Sequence, residues 1–183
     1  MLVKDIIKLA CDFTDNEALA KKIDNNEEFT AEDQEMINKF LQCFNLINNE
    51  VASEFVPIKK VEQIEVVNGK ISFTQFSNKP FKILYVKNSL GKKIRYKVFD
   101  DYIFAFCKKA IVCYSVLPEK LTIDDDFESF LPERIYAYGV AREFCFLKTK
   151  FDDADIWEDR FKNSLELLCR KSSCSRLPRR RWL

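Results

Sequence analysis

The sequence predicts an α+β chain with N-terminal helices, a central small antiparallel β module, a C-terminal helical hairpin and an extended basic tail. Three observations carry this. Apolar residues recur at helical spacing through residues 1–56 and again in 118–171. Residues 57–117 are short β-prone runs separated by turn residues. Residues 172–183 show neither pattern. The length, 183 residues and 21.6 kDa, suits a single domain over 1–171 with 172–183 as an appendage.

The first helix is expected to place Leu2, Ile6, Leu9 and Phe13 on one face. Thr14-Asp15-Asn16-Glu17 has the form of a capping box that starts a second short helix through Ala18 and Leu19. Thr30-Ala31-Glu32-Asp33 is a similar start with Asp in place of Glu. From it, Ile37, Phe40, Leu41, Phe44, Ile47 and Val51 keep i, i+3, i+4, i+7 spacing, and Pro57 closes the region.

In the β module, Asn68-Gly69 lies between Ile64-Glu65-Val66 and Ile71-Ser72-Phe73-Thr74, a strong hairpin signal. Further runs follow at Phe81–Val86, Ile94–Phe99, Tyr102–Phe106 and Ala110–Val116, with a turn at Asn88-Ser89-Leu90-Gly91. Such spacing suits a small antiparallel sheet or sandwich. After Pro118, Pro132-Glu133 opens a helix. Its stretch Ile135–Leu147 is apolar nearly all round, so burial on most sides is expected. Asp152–Cys169 reads as a last amphipathic helix with Trp157, Phe161, Leu165 and Leu168 inward.

Composition argues against most enzyme classes. There is no His, which excludes a Ser-His-Asp triad, a Cys-His dyad and His-ligated zinc or haem. With three Gly, the chain also lacks glycine loops that cradle phosphates. The seven cysteines (Cys11, Cys43, Cys107, Cys113, Cys145, Cys169 and Cys174) show no C-x-x-C pair and read as buried reduced thiols, which points to a cytoplasm. Lys108 and Lys109 after Cys107 read as solvent-facing turn residues, not as activators of a thiolate. Asp124-Asp125-Asp126 is the only candidate acid cluster. It lacks EF-hand spacing and reads as a solvated loop before a helix. No catalytic residue, metal or cofactor is expected. No apolar run reaches the roughly 18 residues of a membrane span.

Charge is distributed unevenly. From Arg170 onward there are six basic residues and no acid, whereas the preceding 169 residues carry 24 basic against 29 acidic, a net of −5. The terminal stretch Arg176, Leu177, Pro178, Arg179, Arg180, Arg181, Trp182 and Leu183 combines cations with a Trp anchor. A solubilising end, a nucleic-acid contact and a docking peptide are all open. Because Trp-Leu suits pure solubility poorly, docking is favoured. Arg142, Glu143, Asp155, Glu158, Asp159 and Arg160 read mainly as solvated helix surface or i, i+4 partners, with some available for contacts between subunits.

Four stretches together resemble a tailed-bacteriophage head-to-tail adaptor, or connector. They are Tyr114–Asp126 (YSVLPEKLTIDDD), Tyr138–Phe144 (YGVAREF), Phe151–Phe161 (FDDADIWEDRF) and Leu177–Trp182 (LPRRRW). The similarity covers most of the chain, with residues 1–50 matching in pattern only. It implies a structural protein of the virion, not an enzyme. Such a protein forms a ring of about twelve copies under the portal vertex. The ring extends the DNA channel, and DNA passes without specific binding. The implied partners are the portal protein, tail or stopper (neck) proteins and further copies of the chain, with no membrane. The implied location is the virion head–tail interface, reached from the host cytoplasm. The resemblance places portal docking at Arg176–Leu183. It also implies that helix 133–149 is covered within the domain while helices 31–52 and 152–169 meet neighbours. A head-completion stopper or tail terminator is the near alternative. A small nucleic-acid-binding protein using the basic tail is the alternative from another class, and it predicts steep salt dependence.

Overall fold

A computed structural model of the chain describes residues 1–25 and 27–169. Its helices are α1 (Val3–Phe13), α2 (Glu17–Asn25), α3 (Ala31–Glu50), α4 (Glu133–Leu147) and α5 (Phe151–Cys169). The strands are β1 (Ile58–Glu65), β2 (Lys70–Ser72), β3 (Lys82–Asn88), β4 (Tyr96–Val98), β5 (Tyr102–Ala105) and β6 (Lys109–Val116). The α+β class and the order helices, β module, helical hairpin are as the sequence predicts.

The helices share one core. Thr30 caps α3 through a reciprocal box, in which its hydroxyl accepts from the Asp33 N–H (3.2 Å) and Asp33 Oδ2 accepts from the Thr30 N–H (2.9 Å). From that start, Ile37, Phe40, Phe44 and Ile47 turn inward and are fully or almost fully buried. A π-helical turn at Val51–Phe55 ends the run before Pro57. As expected of its composition, α4 is central: the eight consecutive residues Ile135–Arg142 are buried, and so are Phe144 and Cys145. It packs on α1, α3 and α5, with Phe144 stacked on Phe40 at 4.0 Å between centroids.

Three expectations for the helices are corrected. Thr14 does not start α2. Its hydroxyl donates to the Ala10 carbonyl (2.9 Å) and closes α1, because the chain reverses at Asp15 with φ +60°. The buried face of α1 is Val3, Ile6, Ile7, Ala10 and Cys11, while Leu2 is exposed and Leu9 and Phe13 are only partly buried. On α5, Phe161 and Leu165 are buried and Trp157 packs against the core, but Leu168 is exposed. Leu168 keeps the inward phase but lies in the last turn of α5, where 44% of it is exposed.

The β module forms two three-stranded antiparallel sheets, ordered β1-β6-β3 and β2-β5-β4. They are joined at both edges. Asn68-Gly69 makes the β1–β2 turn with both φ positive, and Val67 bridges Lys70. This is the two-residue hairpin that the Asn-Gly pair predicts. On the far side Lys87 bridges Lys93, and the Ile94 N–H donates to the Val86 carbonyl (2.9 Å). Strand pairing therefore runs around one small core that includes Ile71, Val86, Ile103, Val112 and Tyr114. Two residues expected to continue β2, Phe73 and Thr74, instead enter a 3-10 turn capped by Ser72.

Gly139 sits where α4 crosses α3. A Cβ there would lie 2.8 Å from Ile47 Cγ2, a fully buried branched side chain. Overpacking of this kind costs about 1–3 kcal/mol, against a helix-propensity gain of about 1 kcal/mol for Ala over Gly. Gly139→Ala is expected to lower stability by up to about 2 kcal/mol in denaturant unfolding. A raised midpoint would show that the helices can separate freely at this crossing.

Candidate functional site

The acid run lies beside the start of α1, and most of the described cysteines lie in the core. Asp125 and Asp126 hold the loop to the start of α1: the Val3 N–H donates to the Asp125 carbonyl (3.1 Å), and the Met1 amino group meets Asp126 Oδ1 at 2.5 Å. Asp125 also accepts from the Thr122 N–H (2.6 Å), and this bond holds its carboxyl below the ordinary range. The run thus organises a loop within the domain. Among the described residues no group of three Cys, Asp or Glu could hold a metal ion. Cys11, Cys43, Cys113 and Cys145 are buried. Burial pushes the Cys11 and Cys43 thiols up to about 12, so they stay protonated at neutral pH. Burial also raises Cys107, the opposite of activation, and Lys108 and Lys109 are exposed beside it.

Arg142 departs most from the sequence reading. It is buried, and its guanidinium serves three carboxylates: Glu50 of α3 at 2.5 Å, Glu158 of α5 at 2.6 Å and its neighbour Glu143 at 2.7 Å. The Phe161 ring lies 5.1 Å from its Cζ. Burial opposes the charge, but the bonds to Glu50 and Glu158 outweigh it and raise the Arg142 pKa further. Glu158 is opposed by burial in the same way, yet Lys162 and Arg142 hold its carboxyl below the ordinary range. Arg142, Glu143 and Glu158 are therefore a tie between three helices, not solvated decoration. Lone charges on an apolar helix were visible in the sequence, but their partners lie 92 and 16 residues away.

The strongest surface feature is the separation of charge. Residues 57–117 carry 12 basic and 4 acidic side chains, a net of +8. Residues 1–56 and 118–169 together carry 12 basic and 25 acidic, a net of −13. Averaging over the whole body hid this division, and a count by segment would have found it. Within the module, Lys109 with Glu65 (3.4 Å) is the ion pair among the described residues, so most of the cations face no carboxylate.

On the outer face of the second sheet the register sets Phe104 between Lys70 and Lys97 on the flanking strands. Tyr102 lies on the same face with Phe99 stacked on it at 4.8 Å, and Lys70 Nζ is 4.6 Å from the Tyr102 ring centre. Phe106, 85% exposed, meets Phe104 edge-on. Together with Ile94 and Arg95 they form an aromatic groove rimmed by cations. A second open cleft lies where the module joins the helices, lined by apolar residues that include Ile58, Phe81, Leu117 and Phe130.

The sequence-derived docking segment, Arg176, Leu177, Pro178, Arg179, Arg180, Arg181, Trp182 and Leu183, lies outside the described residues, as do the rest of tail 172–183 and Cys174. Of the stretches behind the adaptor resemblance, Tyr114–Asp126 leads from β6 back to the helices, and Tyr138–Phe144 and Phe151–Phe161 form the packed halves of the α4–α5 hairpin. No helix among the described residues is long and apolar enough to cross a membrane. No family model matches the chain, and a search of curated proteins found no match either.

Removing the cation of a buried ion cluster leaves uncompensated charge and costs about 3–5 kcal/mol. Arg142→Ala is expected to destabilise by about that amount at neutral pH. Glu158 has a depressed folded-state pKa, so its contribution is full above the ordinary Glu value of about 4.3 and is lost as pH falls below it. The gap between wild type and variant should therefore shrink on acidification, as thermal unfolding from neutral pH to about pH 3 would reveal. A gap independent of pH would mean that Arg142 acts through packing alone.

Proposed function

We propose that the chain is a virion structural protein, a head-to-tail adaptor that assembles as a ring on the portal of a tailed bacteriophage. The observation that carries the reading is the charge division, an acidic helical body bearing a basic β module. Among the described residues of one copy the two charge sets are largely unpaired. Between copies repeated around an axis, each module can meet a neighbour's body. Apolar side chains left exposed at the α4–α5 turn, Leu147 and Phe151, on the last turn of α5, Leu167, and in the junction cleft, Phe81 and Phe130, give such contacts something to bury.

In this reading the ring holds about twelve copies. It sits at the head–tail interface of the virion after assembly in the host cytoplasm and presents a platform to tail or stopper proteins. The tail Arg176–Leu183 docks in the portal, where Trp182 gains apolar burial and Arg179, Arg180 and Arg181 make charge-assisted bonds. The acidic helical body faces the channel, so passing DNA meets like charge and slides without tight phosphate contacts. No step requires a cofactor.

Co-purification with the portal encoded in the same genome tests this directly. Full-length protein is expected to be retained in rings, and a truncation after Lys171 is expected to be lost. Retention of both would move the anchor to the helices. Retention of neither would sink the portal-docking reading.

A further inference from the structure

The aromatic groove of the β module and the outer face of α5 are complementary in chemistry. Asp152, Asp155, Ile156, Asp159, Glu166 and Leu167 recur at helical spacing on the side of α5 away from Phe161 and Leu165, and all six are exposed. None of the four carboxylates has an ion-pair partner among the described residues. The groove offers the converse: three cations, Lys70, Arg95 and Lys97, around half-buried Phe104 and exposed Phe106, with no acid in its lining. Those cations also make no ion pair among the described residues.

We propose that the outer face of α5 of one copy docks into the β2-β5-β4 groove of the next. This deepens the ring reading and rests on it, since it names the contact that repeats around the ring. Ile156 and Leu167 cover the aromatic floor, where apolar burial supplies most of the attraction. The carboxylates meet the cationic rim, which sets orientation and partner choice more than affinity. The contact is heterologous: each copy gives a helix to one neighbour and a groove to the other, as ring closure requires. Its charged rim is exposed, so salt should weaken it.

Reversing charge on each side tests the pairing on the full-length chain. One variant carries Lys70→Glu with Lys97→Glu, and the other carries Asp155→Lys with Asp159→Lys. All four residues are exposed, so circular dichroism and thermal unfolding should match wild type. In sedimentation velocity, wild type is expected to self-associate at low salt and to associate more weakly as salt rises. Each variant alone should associate more than about tenfold more weakly, because like charges then face each other. An equimolar mixture should associate again, since each groove then meets a helix of opposite charge.

A wild type that stays monomeric at low salt and high concentration would overturn the proposal, and so would variants that associate as wild type does. Retention of portal binding in either case would leave the ring reading intact and fault only this interface. Oligo(dT) binding by wild type that Lys70→Glu with Lys97→Glu abolishes, with self-association unchanged, would assign the groove to single-stranded nucleic acid and also overturn the proposal.

Discussion

The helical body depends on one buried cation. Arg142 lies on α4, the helix surrounded by the others, and reaches Glu50 on α3 and Glu158 on α5 at hydrogen-bond distance. Apolar packing alone lets such helices slide by a turn at little expense, whereas a guanidinium forked between fixed carboxylates does not. Phe161 beneath the guanidinium and Phe40 against Phe144 then fill the space that this register leaves. Gly139, one turn before Arg142, allows α4 to approach Ile47 of α3 closely enough for the bonds to form. The network thus fixes α5, and with it the exposed acidic face that α5 carries.

The β module solves a different problem. An insertion of short strands would ordinarily expose open edges that recruit other strands. Here the Asn68-Gly69 hairpin and the Lys87–Lys93 bridge join the two sheets at both edges, so pairing continues around one core. Tyr114 shows how that core includes a polar group. Its ring is fully buried against Phe76, and its hydroxyl donates to Glu62 on β1. With the interior filled, the outward residues of β2, β4 and β5 are free of structural duty, and these are where lysines alternate with aromatic rings.

Local chemistry made several features legible in the sequence. Thr30 with Asp33, the Asn68-Gly69 turn and the long spacing of α3 act within a few residues, and each forms as read. The all-round apolar character of α4 also declared its central position. What was not legible depends on distant partners or on where an element ends. Thr14 satisfies the capping-box pattern, but closing α1 uses its hydroxyl first. Leu168 has the right phase and is still exposed. Arg142 looked like surface because its two interhelical partners lie elsewhere in the chain. The groove was hidden for another reason: Lys70, Lys97 and Phe104 are neighbours only through strand register, and their charge vanished in an average over the acidic helices.

In the proposed ring, opposite surfaces of a single chain recognise each other. Carboxylate-to-lysine zero-length cross-linking of assembled full-length protein, prepared from an equal mixture of unlabelled and nitrogen-15-labelled copies, tests that claim most directly. Mixed-isotope cross-links from Lys70 or Lys97 to Asp155 or Asp159 are predicted. Assembled protein whose mixed-isotope cross-links lie elsewhere, with Asp155 and Asp159 joined to no lysine of the β module, would contradict it.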